Sequence, residues 1–294
     1  MYWRFLIFLC FGALFSCAKP IANFTISSAE PTAPAKVIFQ NNSLQSDTYE
    51  WDFGDGIKSD QESPVHQYFS SGNYEVILKT SKGNKSSTAS KKVFVEAPQE
   101  CLVLLQTRYG DMVIELYNET PKHRDNFIEL VEKGYYNDLL FHRVIQGFMI
   151  QGGDPRSKNA SPNSALGSGG PGYVIPAEIS AKHVHIKGAL CAARQPDGVN
   201  PKKESSGSQF YIVQGQKMTD ASLEQMQISN GVNYSKEQKA LYKELGGTPQ
   251  LDLEYTVFGR VIEGLEVIDL IAEIKTTKTD RPMKDVKMKL SPIN

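Results

Sequence analysis
Phe141-His-Arg-Val-Ile-Gln-Gly-Phe-Met-Ile-Gln-Gly-Gly-Asp154 is the stretch on which the reading of this 294-residue chain turns. It sets a histidine, an arginine and glutamines among apolar residues and glycines. Taken singly, Arg143 reads as a surface arginine on a β-edge, Phe148 as a core aromatic and His142 as a hydrogen-bonded structural histidine. Only the surrounding chain can say whether they act together.

Working outward, Leu102 to Leu105 and Met112 to Leu116 read as strands flanking the Arg108-Tyr109-Gly110-Asp111 turn. A helix should follow, with Thr120 as N-cap, Pro121 at its first position where a missing N–H costs nothing, and Gly134 at its end. Phe127, Leu130 and Val131 form its apolar stripe. Gly264 to Ile274 repeats the pattern, with Leu265, Ile268, Leu270 and Ile271 expected inward. Two helices with many short, glycine-rich strands between them predict a closed β-barrel with helical plugs.

Within that frame the stretch resembles the signature of cyclophilin-type peptidyl-prolyl cis-trans isomerases. Gly188-Ala-Leu-Cys-Ala-Ala193, Ser206-Gly-Ser-Gln-Phe-Tyr-Ile212 and Tyr255-Thr-Val-Phe-Gly-Arg-Val261 support it in the same order. The resemblance runs from about Cys101 to the C-terminus. It implies an eight-stranded antiparallel β-barrel capped by two helices, with no metal or organic cofactor and with proline-containing polypeptides as partners. The chemistry suits the residue types. An X–Pro bond rotates over a barrier of about 20 kcal/mol without any bond being made or broken, so neither nucleophile nor general base is needed. A donor that stabilises the twisted amide suffices. By resemblance that donor is Arg143, hydrogen bonding to the prolyl nitrogen, with Gln151 holding it and the substrate carbonyl. Phe148, Met149, Tyr211, Leu251 and Tyr255 would line an apolar proline pocket. Ala193, Arg194 and Gln209 would border the groove, with backbone groups at 193–194 pairing to the substrate chain.

The chain departs from the family pattern in places. Gln250 stands where eukaryotic members commonly have tryptophan, and Tyr255 where they have histidine. Arg194 replaces an asparagine and Tyr211 a phenylalanine. Losing the indole donor at 250 implies weak cyclosporin binding. The added hydroxyl of Tyr211 is expected to enter the proline pocket and alter preference for the residue before proline.

Other polar clusters have plainer readings. His183 and His185 would share one face of a strand, a pattern that suggests a metal, but with no third ligand in view they read as part of a non-ligand loop. Gly167-Ser-Gly-Gly-Pro-Gly172 lacks the Lys-Ser/Thr of a phosphate loop and reads as a mobile barrel loop. An insertion at about 216–248 should carry two short helices, one capped by Asp220 and one by the capping box Ser235-Lys-Glu-Gln238, the second bearing Leu241, Tyr242 and Leu245. It reads either as a structural elaboration beside the groove or as a lid selecting substrates.

The N-terminal part differs in character. From Ile21 to Ala97 apolar residues alternate with period two: Tyr49, Trp51 and Phe53, then Tyr74, Val76 and Leu78, then Val93 and Val95. Asp55-Gly56 and Gly83-Asn84 are turn dipeptides, so a small β-sandwich is expected. Tyr49-Glu-Trp-Asp-Phe-Gly-Asp-Gly56, with Pro64-Val-His66-Gln-Tyr68 and Gly72-Asn-Tyr74-Glu-Val76, resembles a PKD domain. That implies an immunoglobulin-like spacer or a protein or carbohydrate contact module. Asp52-Phe53-Gly54 and His123-Arg124-Asp125 mimic kinase fragments in the wrong order, and Asp47, Asp52, Asp55 and Asp60 have no EF-hand spacing and read as turn formers. Ala97-Pro98-Gln99-Glu100 is the expected boundary before a domain at 101–294.

Met1 to Arg4 and the apolar run Phe5 to Phe15 are too short to span a bilayer of roughly 30 Å and read as a signal peptide. Leu14-Phe15-Ser16-Cys17 resembles a bacterial lipoprotein box, implying removal of residues 1–16 and acylation of Cys17. An ordinary secretory signal with an incidental cysteine is the alternative. Cys101 and Cys191 then remain as buried free thiols. Composition excludes other classes: 40% hydrophobic and 22% charged residues fit a globular chain. With 32 basic against 33 acidic residues there is no charge excess for nucleic acid. The expectation is therefore a two-domain, mainly β, lipid-anchored protein of the bacterial envelope that isomerises X–Pro bonds in envelope or secreted polypeptides. Its rivals are a prolyl-binding chaperone without turnover and an adhesion or scaffold lipoprotein led by the PKD-like domain.

Overall fold
The computed structural model describes residues 19–28, 32–69, 71–96 and 101–293. The expected signal segment 1–16, the expected acylation site Cys17 and the expected boundary stretch 97–100 lie outside the described residues. The chain parts into two compact units, with most of the chain up to Phe94 in the first and Val95 onward in the second.

The first unit pairs a three-stranded sheet with a four-stranded one. Strands β1 (Phe24–Ser28), β2 (Ala35–Asn41) and β5 (Val65–Tyr68) form the former; β4 (Lys58–Ser59), β3 (Thr48–Asp52), β6 (Gly72–Lys82) and β7 (Lys85–Val95) form the latter in that order. Period-two alternation buries one face of each strand, so Phe24, Val37, Phe39, Trp51, Val76 and Leu78 meet in a dry core. Trp51 packs edge-on against Phe24 at 5.1 Å, and its indole N–H donates to the Gln61 carbonyl at 2.9 Å. The aspartates do shape turns: Asp52 Oδ1 accepts from Gly54 N and Asp55 Oδ1 from Ile57 N. Gly54 sits at φ +81°, and a Cβ there would lie 2.8 Å from the Glu75 carbonyl oxygen, so only glycine fits this corner.

The second unit is an antiparallel eight-stranded sheet curled on itself. Its order is β10 (Arg143–Ile145), β11 (Met149–Gly152), β14 (Ser205–Val213), β13 (Ala189–Arg194), β15 (Val257–Glu263), β9 (Gly110–Leu116), β8 (Leu102–Thr107) and β16 (Lys289–Ile293). A short β12 (Val174–Ile175) adds to β14. The two ends approach through residues just before β10 and β16: Asp138 N donates to Met288 O, Met288 N to Leu139 O and Phe141 N to Val286 O, all at 2.9–3.0 Å. Helices α1 (Pro121–Glu132) and α4 (Leu265–Ala272) plug the interior, where Phe127, Phe141, Phe210, Phe258, Ile268 and Ile271 pack.

Three helix details differ from expectation. Thr120 occupies the N-cap of α1 but its side chain makes no cap bond; the Glu178 carboxylate, from a loop 56 residues away, accepts from Lys122 N and His123 N instead. Leu270 is 47% exposed, because it lies on the arc of α4 opposite Ile268 and Ile271. In the insertion, α2 (Asp220–Asn230) is capped by Thr219 rather than Asp220, through a reciprocal bond with Ser222, whereas α3 (Lys236–Glu244) has the Ser235–Gln238 box. Val184, Leu223, Val232, Tyr234 and Tyr242 give these two helices a small core of their own.

Candidate active site
The β10–β11 hairpin brings the signature residues together. Arg143 pairs with Gln151 and Ile145 with Met149; Gln151 pairs in turn with Tyr211 on β14, Tyr211 with Cys191 on β13, and Cys191 with Val257 on β15. Side chains alternate across a strand, so this row occupies one face of the curled sheet while Val144, Ile150, Ile212 and Leu190 occupy the other. The site therefore has its own apolar cluster, Met149, Ala189, Cys191, Tyr211, Val213 and Val257, separate from the barrel core. Burial pushes the Cys191 thiol well above its ordinary range, which leaves it a packing group.

A cleft of about 720 Å³ opens over this row. Arg143, Phe148, Met149, Gln151, Ala193, Arg194, Tyr211, Leu251 and Tyr255 all line it. Gln209 stands one step behind: its Oε1 accepts from Gln151 Nε2 at 3.1 Å, and its own Nε2 donates to the Gly169 carbonyl at 2.7 Å. The β13–β14 register shifts between Ala192 and Arg194, which places Ala193 at the irregularity that forms the groove edge. The Arg194 guanidinium donates to Glu254 O at 2.9 Å and Glu254 Oε2 at 3.2 Å and lies 4.6 Å from the Tyr255 ring centroid. Its side chain braces Tyr255. Arg143, in the cleft wall, is 43% exposed, with Nε 3.4 Å from Asp280 Oδ2.

Several wall residues carried no signal in the sequence. The loop Pro162–Gly167 and the turn carrying Thr277, Thr279 and Arg281 complete the rim, with Arg281 donating to the Ser161 and Pro162 carbonyls at 2.7 and 3.1 Å. His142 also lines the cleft, but neither ring nitrogen has a hydrogen-bond partner, contrary to the bonded structural histidine expected. Burial depresses it to a pKa of about 4, with Arg143 and Arg281 adding to the effect against the pull of Asp154. The glycine-rich loop is tied down: Asp154 Oδ2 accepts from Gly167 N and Gly169 N at 2.6 and 3.1 Å. Burial would raise the Asp154 carboxyl, yet backbone N–H bonds from Arg156, Gly167 and Gly169 hold it below the usual range.

The two histidines considered as ligands separate in space and lie on a loop rather than a strand. His183 stacks on Tyr117 at 4.1 Å, while His185 bonds to Asp252 and to the Tyr211 hydroxyl. The sequence reading puts that hydroxyl in the proline pocket; the structure engages it with His185 instead. Among the described residues no group of three or more His, Cys, Asp or Glu is placed to hold a metal. His123 lies between Ser205 Oγ at 2.9 Å and Glu178 Oε2 at 2.7 Å, an order shared with hydrolytic triads. Ser205 is buried and Glu178 is committed to the start of α1, so the trio is a structural tie.

Residues 102–291 match the family model described as cyclophilin type peptidyl-prolyl cis-trans isomerase/CLD, and residues 17–96 match that of the PKD domain. A Staphylococcus saprophyticus protein named for peptidyl-prolyl cis-trans isomerase activity is 37% identical over 188 residues, covering 64% of this chain and 88% of its own. A Streptococcus pyogenes protein named as a bifunctional phosphatase/peptidyl-prolyl cis-trans isomerase is also 37% identical, over 63% of this chain but only 37% of its own length. A crystal structure of a Cryptosporidium parvum cyclophilin-type isomerase aligns at 28% identity and a TM-score of 0.49, covering 66% of this chain and 98% of that one.

Proposed function
The chain belongs to the cyclophilin-type peptidyl-prolyl cis-trans isomerases, and from that premise we propose how its cleft works and where it acts. A proline ring of the substrate enters the apolar cluster between Phe148, Met149, Leu251 and Tyr255, while the flanking chain lies along the Ala193 edge. As the X–Pro amide twists, its nitrogen becomes pyramidal and basic, and Arg143 donates to it. Gln151, held by Gln209, keeps the substrate carbonyl in register. Because the donor is in place before the bond turns, little reorganisation is needed at the barrier. The observation that carries this reading is the placement of Arg143 opposite Gln151 in a cleft that also holds the apolar side chains of Phe148, Met149 and Leu251.

A coupled isomerisation assay on a short X–Pro peptide tests it, comparing the soluble 18–294 chain with Arg143→Ala. Acceleration that falls by about 100-fold or more in the variant supports the assignment. Equal rates would remove Arg143 from the reaction.

Residues 14–17 support lipid anchoring in a bacterial envelope, which would put the isomerase domain at 101–294 among envelope or secreted polypeptides and make the PKD-like 21–97 a spacer or contact module. Two or more acyl chains on Cys17 would anchor stably, where one is marginal. Membrane fractionation of the full chain and its Cys17→Ser variant decides this. A variant that stays with membranes would refute the anchor.

A further inference from the structure
The insertion contributes no residue to the cleft wall, so it does not cover the cleft as a lid. It reaches the site from behind. On the far side of the pocket floor, the Tyr211 hydroxyl is hydrogen bonded to His185 Nε2 at 3.0 Å. His185 Nδ1 lies 2.8 Å from Asp252 Oδ1, which also accepts from the His185 backbone N–H. A carboxylate only accepts, so Nδ1–H is the donor to Asp252, and with the ring so oriented Nε2 is the nitrogen that meets Tyr211. The other carboxylate oxygen, Asp252 Oδ2, accepts from the hydroxyls of Tyr242 at 2.6 Å and Tyr234 at 2.8 Å. Both tyrosines belong to the insertion. His185, Asp252, Tyr234 and Tyr242 are all buried, so water does not compete for these bonds.

The backbone is joined as closely. Thr248 N donates to the His185 carbonyl at 2.8 Å, and Asn230 Nδ2 to the Pro249 carbonyl at 3.0 Å. A Cβ on Gly247 would lie 2.3 Å from the His185 carbonyl oxygen and 2.5 Å from the Tyr242 ring, so the end of α3 packs directly on the histidine loop. The 249–252 turn that follows carries both Leu251, in the cleft wall, and Asp252.

We propose that the helical insertion is a positioning element for the proline pocket. Tyr234 and Tyr242 fix Asp252, Asp252 fixes the tautomer and orientation of His185, and His185 fixes the ring of Tyr211. The inference rests on the reading of the cleft as the prolyl site. The relay ends on the ring of Tyr211, strand neighbour of Gln151 but sharing no side-chain hydrogen bond with it or with Arg143, so it governs how tightly the prolyl ring is gripped rather than how fast the bond turns.

The test uses NMR exchange on a proline peptide at several concentrations, separating KM from kcat for the 18–294 chain. Tyr234→Phe/Tyr242→Phe is expected to raise KM about fivefold with kcat within about twofold, a shift the size of one ordinary hydrogen bond. In a Tyr211→Phe background, where the relay is already cut, the same pair should shift KM by less than about twofold. Unchanged KM in the first comparison, or equal shifts in both, overturns the proposal. If the double variant does not fold, Tyr234→Phe alone, which leaves the Tyr242 donor, is judged by the same split. Arg143→Ala run in parallel separates the two readings: activity surviving in it sinks the site assignment, whereas activity lost in it with additive tyrosine effects sinks only the relay.

Discussion
Arg143 faces Gln151 across the β10–β11 ladder, and its guanidinium Nε stands 3.4 Å from Asp280 Oδ2. Both sides of that ion pair are about two-fifths exposed, 43% and 41%, so solvent screens it and its worth lies in orientation.

Asp280→Asn should accordingly change unfolding free energy by less than about 1 kcal/mol. Arg143→Lys keeps the charge but loses the planar fork, and kcat/KM should fall on the order of 100-fold. Denaturant titration and the peptide assay check the two. A lysine variant within about threefold of the original would show that any cation serves.

His142 makes stability pH-dependent. Its folded pKa of about 4 lies below the ordinary 6.5, so the folded chain holds fewer protons than the unfolded chain between those values. The contribution is intact above about pH 6.5 and is lost as pH falls toward 4, to a total of roughly 3 kcal/mol. Urea titrations at pH 7.5 and 4.5 on the chain and on His142→Gln should show a smaller acid loss in the variant. Equal losses would mean that His142 is not held neutral by the fold.

Gln250 is exposed on the turn beside Leu251 and does not line the cleft. With no indole N–H there, cyclosporin should inhibit only weakly, and Gln250→Trp should tighten inhibition by about tenfold. Titrating the drug against activity decides it. Nanomolar inhibition of the unsubstituted chain would contradict the prediction.

In the first unit Phe39 is fully buried, its ring 5.6 Å from Trp51 and 5.2 Å from Phe53. Phe39→Ala should destabilise that unit by about 3–5 kcal/mol. The sequence holds only Trp3 and Trp51, so indole fluorescence of the 18–294 chain follows Trp51 alone. An unshifted fluorescence midpoint would show that this core is not what holds the sandwich.

The sequence by itself determined the family, the mainly β architecture and the residues grouped at the cleft, because each is written in short contiguous patterns. Trp51 and Phe53, or Val76 and Leu78, announce a buried face by alternation. On β11 and β14 both faces are buried, one in the barrel and one under the cleft, so alternation vanishes there and only the resemblance separated Met149 and Tyr211 from core. The cap of α1 by Glu178, the bare ring of His142 and the exposure of Leu270 were decided by tertiary structure. So was the relay: Tyr211 and His185 are 26 residues apart and His185 and Asp252 are 67 apart. Hydrogen bonds between side chains that distant follow no period along the chain. They exist only once the barrel and the insertion have packed, because burial then removes water as a competing partner.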